Sequence, residues 1–342
     1  MSDRRFDVTA IGNAIVDVIA AADDALLVQH GLVKDAMTLI DASDAARLYG
    51  IMGPGRETSG GSAGNTVAGI AALGGRTAYI GKVAGDQLGD VFTHDIRAAG
   101  VTYDTAPLKD GLPTARCLIF VTPDAHRTMQ TFLGATTQLG PEDVNIGYIT
   151  ASRVVYLEGY LWDQPRAKQA MREAAITAHA AGVKVSLTLS DSFCVDRYRD
   201  EFLELAEHHV DILFANEAEI LSLYQVGTFD EALQRVRGHC EIAALTRSEK
   251  GSVVVSGDAV HVIDAVPGVI VVDTTGAGDA YAAGFLYAYT RDQDLAACGR
   301  LGGAMAAEVI SHFGARPESD VKALAADVLS GRTTRGGRSR SV

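Results

Sequence analysis

The stretch "VIVVDTTGAGDAYAAGFLYAY" at residues 269–289 runs a β-branched segment into an aspartate, breaks at Thr-Thr-Gly-Ala-Gly-Asp, and resumes as an apolar, alanine-rich segment. The first part reads as a strand and the last as a helix. Two glycines at the junction let the backbone approach a guest closely. The helix start offers unpaired N–H groups and the positive end of its dipole at the same spot, which makes the turn an anion site. Asp279 is out of place there, being a carboxylate where a negative guest would sit. One reading is a first-turn acid favoured by the helix dipole, worth about 0.3–1 kcal/mol. The other is a general base beside an anion hole. The N–H groups of Gly276, Ala277 and Gly278 would hold a transferring phosphoryl, and Asp279 would take the proton of an attacking hydroxyl. Phosphoryl transfer needs those two parts side by side, because its catalysis is mostly positioning and charge stabilisation.

Other phosphate motifs do not fit. The sequence has no G-x-x-x-x-G-K-[ST], so a P-loop is excluded. "GAGDAY" supplies G-x-G, but Tyr281 stands at the third glycine position, which argues against a dinucleotide fingerprint.

The 342 residues are 47% hydrophobic and 21% charged, an ordinary globular mix. A net charge of −13 argues against nucleic acid or an anionic membrane as partner. Cys117, Cys194, Cys240 and Cys298 are widely spaced with no C-x-x-C pair, as expected of reduced thiols in a cytoplasmic protein. The N-terminal apolar run is interrupted by Asp7, Asn13 and Asp17 and reads as a buried strand rather than a leader. No stretch is long and apolar enough to span a bilayer.

Strand-like runs such as "FDVTAIGN", "RTAYIGKVA", "RVVYLEGYL", "GVKVSLTLS", "VDILFANE", "IAALTRS" and "GSVVVSG" alternate with helical segments such as "PRAKQAMREAAITAHAAG". That alternation predicts an α/β fold, with a mostly parallel central sheet covered by helices on both faces. Residues 14–52 and 112–133 break the rhythm. "TARCLIFVTPDAHRTMQTFLG" reads as a hairpin turning at Pro123-Asp124, and the two regions together are expected to form a small β-rich lid. Residues 1–330 read as a single domain, and the basic, Gly/Ser-rich 331–342 as a disordered tail.

"DTTGAGDAYAAGF" resembles the signature of the ribokinase-like (PfkB) carbohydrate and nucleoside kinases. "GGSAGNTVAGIAALGGRTAYIGKVAGDQLGD" (60–90) resembles that family's amino-terminal signature, and "VDILFANEAE" (210–219) is similar to its N-x-x-E segment. The resemblance covers nearly the whole chain and implies a ribokinase-like fold. "AIGNAIVDV" is most similar to the opening of adenosine kinases, with "VVYLEGYL" leaning the same way, although free-sugar kinases use a similar aspartate.

The resemblance implies that Asn13, Asp17, Gly61 and Asn65 bind sugar hydroxyls and that a ribose 5′-OH is aimed at Asp279. For Asp17 the alternative is solvation at a strand end, and the Gly60-Gly61 pair also suits a lid hinge. Asn216 and Glu219 would organise water around Mg²⁺, or simply cap a helix. Arg127, near the hairpin tip, would reach the phosphates on closure. The ATP site is placed along "LTRSEKGSVVV" (245–255), with Thr246, Lys250 and Gly251 matching and Ser248 standing where the family usually has glycine. The loop "EVISHFGARP" (308–317), with Gly314, would close over the adenine, and many members hold a monovalent cation such as K⁺ there with Asp273 and Thr275. Trp162 lies where such kinases put base-contacting aromatics, with core packing as the alternative.

The implied activity is ATP- and Mg²⁺-dependent phosphorylation of a nucleoside 5′-hydroxyl, adenosine foremost, by a monomer or homodimer. Inosine and guanosine stay open as acceptors. A kinase acting on ribose or a ketose is the first alternative, and a non-catalytic nucleoside or sugar sensor on the same fold the second.

Overall fold

The structure is a computed structural model that describes residues 4–34, 36–124 and 126–331. Among the described residues fourteen strands form two sheets. In chain order they are β1 (Phe6–Ile11), β2 (Ile15–Ala21), β3 (Met37–Leu39), β4 (Gly55–Gly60), β5 (Thr77–Ile80), β6 (Val101–Tyr103) and β7 (Ala115–Val121). There follow β8 (Arg127–Phe132), β9 (Ser152–Glu158), β10 (Lys184–Thr188), β11 (Ile212–Asn216), β12 (Ile242–Thr246), β13 (Ser252–Ser256) and β14 (Ala259–Ile263).

The large sheet has the order β14-β13-β12-β11-β10-β9-β1-β5-β6. Its pairings are parallel from β6 to β12, and β12-β13-β14 closes the edge antiparallel. Strands β1, β5, β9, β11, β12 and β13 each feed two cores, as a sheet covered on both faces requires, whereas β10 gives Val185 and Leu187 to one. On β9, Val154 and Tyr156 face one core while Val155 and Leu157 face the other; on β12, Ile242 and Ala244 oppose Ala243 and Leu245. The mostly parallel α/β architecture is therefore as the sequence predicts.

The second sheet runs β3-β8-β7-β2-β4. Segments 14–52 and 112–133 supply four of its strands, and β7 and β8 form the expected hairpin around Pro123-Asp124. The fifth strand, β4, lies beyond the predicted boundary and pairs antiparallel with β2. Its sequence, Gly-Arg-Glu-Thr-Ser-Gly, has no apolar alternation to announce it.

One expected strand does not form. Residues 269–273 belong to neither sheet, and Ile270 and Val271 are 73% and 58% exposed. The β13-β14 hairpin already closes that edge, and the Val272 N–H donates to Ile310 O at 2.8 Å, beyond the end of the helix Leu295–Val309. The β-branched run is thus an extended lead-in to the turn. The tail expected to be disordered falls, from residue 332 on, outside the described residues. Among the described residues no helix is long and apolar enough to cross a membrane.

Candidate active site

The site gathers at the carboxyl ends of the parallel strands, where open α/β sheets place their ligands. Asn13 follows β1, Glu158 ends β9, and Asn216 ends β11 directly opposite Thr246 of β12. Two helices start above them, Ser62–Ala72 and Ala277–Tyr289. They approach closely because Gly69 faces Ala283: a Cβ at Gly69 would lie 2.9 Å from the alanine methyl.

Gly276 caps the second helix at φ +75°, and a Cβ there would fall 2.5 Å from the Ala315 Cβ. Only glycine fits both conditions. Ala277 N–H donates to Thr274 O at 3.2 Å, so this member of the expected anion hole is already engaged. Gly278 is exposed, and a Cβ there would meet nothing. Open space therefore lies in front of the helix start.

Asp279 is fixed on both oxygens. Ser62 Oγ donates to Oδ1 at 2.6 Å and Asn65 Nδ2 to Oδ2 at 3.1 Å. Burial pushes its pKa up to about 6, against the lowering effect of those two donors. At neutral pH it is a carboxylate whose proton affinity burial has raised.

Asp17, on β2, is raised to about 6 by burial; Arg316 and Arg127 counter the shift, and the charge of Asp279 adds to it. The Gly-Gly pair is explained by close approach. A Cβ at Gly60 would sit 2.4 Å from Asp17 Oδ2, and one at Gly61, where φ is +87°, 2.1 Å from Asn13 O. Asn13 is buried, with its Nδ2 donating to Glu158 Oε1 at 2.7 Å and its Oδ1 accepting from Thr136 Oγ1 at 2.9 Å. Asn13, Asp17, Gly61, Asn65 and Asp279 are thus brought into one neighbourhood.

Sequence reasoning missed three members of it. Ser62 lies three residues before Asn65, on the same helix face, which is a readable spacing. Glu158 ends the apolar run Val-Val-Tyr-Leu and is 1% exposed. It accepts from Ala63 N–H at 2.8 Å as well as from Asn13, and burial raises its pKa to about 7. Arg316 carries no local signal. It reaches Ser59 O and Oγ and Asp95 Oδ2 from the C-terminal loop.

At the end of β11, Asn216 and Glu219 form a capping box. Glu219 N–H donates to Asn216 Oδ1 at 2.8 Å, while the Asn216 N–H and Nδ2 donate to Glu219 at 3.0 and 2.6 Å. Burial raises Glu219 to about 7. Among the described residues no three His, Cys, Asp or Glu side chains converge to clamp a metal. The Glu219 oxygens retain lone pairs for metal-bound water, so this pair fits Mg²⁺ through water and not directly. Gly251 takes φ +78°, and a Cβ there would meet Ile263 O at 2.0 Å. Ser248, in place of the family's glycine, sits at φ +51°. Lys250 is exposed, 3.5 Å from Glu217.

Two expectations are corrected. Trp162 is fully buried, packed on Phe202, with its indole N–H donating to Glu201 at 3.1 Å. It is a core residue here and presents no face to a base. The monovalent-cation expectation at Asp273, Thr275 and Gly314 also fails to fit. Those residues do converge, but Arg127 Nη2 already lies 2.7 Å from Asp273 Oδ2. The same contact engages Arg127 on the Asp273 carboxylate in this structure.

Comparisons with known proteins identify the family. The model for the pfkB family carbohydrate kinases matches residues 32–322. A probable sugar kinase from Rhizobium etli CFN 42 is 53% identical with a TM-score of 0.88, covering 96% of this chain and all of that one. An adenosine kinase from Sinorhizobium meliloti is 55% identical with a TM-score of 0.87, covering 94% of this chain and 99% of that one. An ATP-dependent ribose-1-phosphate kinase from Halopiger xanaduensis is 31% identical over 277 residues, 79% of this chain and 86% of the relative. This chain therefore belongs to the pfkB family of carbohydrate kinases, has the ribokinase-like fold, and is a phosphotransferase that acts on an alcohol hydroxyl.

Proposed function

We propose that the protein transfers the γ-phosphoryl of ATP to the 5′-hydroxyl of a nucleoside, adenosine foremost. What supports the chemistry is Asp279, held by Ser62 and Asn65 at the mouth of a helix whose Gly278 faces open space. What supports the acceptor is the similarity to the Sinorhizobium meliloti adenosine kinase over 94% of the chain.

In this reading Asn13, Asp17, Gly61 and Asn65 orient the ribose. The Asp17 carboxylate accepts from the vicinal hydroxyls. Asp279 accepts the 5′-OH proton as the oxygen attacks, and the Gly276 and Gly278 N–H groups stabilise the phosphoryl oxygens. Thr246, Gly251, Lys250 and Asn216 line the ATP side, with Gly314 in the loop above. Mg²⁺, when bound, supplies charge neutralisation on the phosphates, and Asn216 and Glu219 would hold its waters.

A second reading keeps the mechanism and changes the acceptor to a sugar or sugar phosphate. It is favoured by the probable sugar kinase from Rhizobium etli and the ribose-1-phosphate kinase from Halopiger xanaduensis. The test is ADP release with Mg-ATP across adenosine, inosine, guanosine, ribose, ribose 1-phosphate and fructose. Turnover with adenosine well above the rest supports the first reading, and turnover only with a free or phosphorylated sugar replaces it with the second. Tight nucleoside binding without turnover would leave a sensor.

A further inference from the structure

Three segments meet on the carboxylate of Asp273. Its Oδ1 accepts from Thr275 N–H at 3.1 Å and from the Thr275 hydroxyl at 2.8 Å. Its Oδ2 accepts from Gly314 N–H at 2.9 Å and lies 2.7 Å from Arg127 Nη2. The Arg127 and Asp273 side chains are 10% and 6% exposed. Arg127 Nη1 also lies 3.5 Å from Thr275 Oγ1, and its guanidinium carbon is 5.3 Å from the Phe313 ring centroid. A buried ion pair is held best where its polar atoms are matched; the carboxylate has four donors, while Arg127 Nε is buried without a hydrogen-bond partner. A second cation on the same oxygens would have to displace the guanidinium or sit against its charge.

We propose that Arg127 is the resident cation of this kinase: its guanidinium takes the place of a monovalent ion at Asp273, so the phosphate-binding turn is ordered without K⁺. Arg127 is then a positioning residue. It ties the second sheet to Thr275, which precedes the Gly276 cap, and to the Gly314 loop that packs on that cap. The inference rests on the kinase reading but not on the identity of the acceptor.

The test compares the full chain and Arg127→Gln in about 100 mM KCl and in tetramethylammonium chloride of equal ionic strength, with ATP as an organic-cation salt. Turnover is read with whichever acceptor the protein uses, and melting temperature is read without acceptor. The proposal expects wild-type turnover in the two salts to agree within about twofold. It expects Arg127→Gln to fall about tenfold or more in the organic salt and to recover in KCl. The melting temperature of the variant alone should rise in KCl over the organic salt, because only its site binds the ion. A merely structural arginine would give loss without K⁺ rescue. Wild-type turnover that rises about tenfold with KCl would overturn the proposal. Full activity of the variant in both salts would overturn it as well. Should Arg127→Gln fail to fold, Arg127→Lys keeps the charge with poorer geometry, and the wild-type comparison decides alone. If no acceptor is turned over, the melting data still discriminate, so loss of the functional reading and loss of this inference are told apart.

Discussion

Ser62 Oγ donates to Asp279 Oδ1 at 2.6 Å, joining two residues that lie 217 apart in sequence and in the first turns of two helices. The bond favours the charged carboxylate. Removing it with Ser62→Ala should raise the Asp279 pKa, because the burial that opposes ionisation is unchanged. Since the base works deprotonated, the acidic limb of kcat against pH should move to higher pH by about one unit, roughly the worth of a hydrogen bond to a charged group. A limb that stays where it is would show that Ser62 does not act on the base.

The raised pKa of Asp279 also has a stability consequence. Folding lifts it from 3.8 to about 6, so the folded state retains a proton that the unfolded chain has already released across that window. Stability attributable to this group therefore falls as pH rises through about 4 to 6, and the penalty is complete above it. Asp279→Asn removes the penalty. Its melting temperature should exceed that of the wild type at pH 8, and the difference should close towards pH 4. An equal or lower melting temperature at pH 8 would contradict the burial argument.

The two glycines of the turn should respond differently. Gly276→Ala meets both a positive φ and the Ala315 Cβ at 2.5 Å, so it should destabilise the protein by about 1–3 kcal/mol. Gly278→Ala meets nothing, so its melting temperature should hold while kcat drops, because the new methyl fills the space assigned to the phosphoryl. Retention of full kcat by Gly278→Ala would mean that the phosphoryl lies elsewhere.

Ser248 sits at φ +51°, in the left-handed region that costs an L-residue about 1–2 kcal/mol. Ser248→Gly should relieve that strain and raise stability by up to about 1 kcal/mol, less the entropy glycine adds to the unfolded chain. Chemical denaturation midpoints of the two proteins give the comparison, and a lower midpoint for the glycine variant would refute it.

The turn around Gly276–Asp279 was legible in sequence because its chemistry is local: two glycines, a helix start and one misplaced acid. Periodicity likewise revealed most of the parallel sheet, since strands buried on both faces read as short apolar runs. The run at 269–272 misled because β-branched composition reports a preference for extended backbone and not the presence of a partner strand, and β14 had already taken the edge. Trp162 shows the same limit. An aromatic after a strand can face a ligand or a core, and only the packing of Phe202 and the acceptor on Glu201 decide between them. Arg316, and the pairing of Arg127 with Asp273, depend on contacts across more than a hundred residues, for which a single sequence holds no signal.

The central claim is that Asp279 is the general base, and the most direct measurement is turnover and nucleoside binding by Asp279→Asn beside the wild type. The account predicts that kcat falls by about 10²–10⁴ while the calorimetric Kd for nucleoside changes little, because the lost interaction matters only as the hydroxyl proton departs. Near-parental kcat in the Asn variant would contradict it and return Asp279 to the role of a first-turn acid.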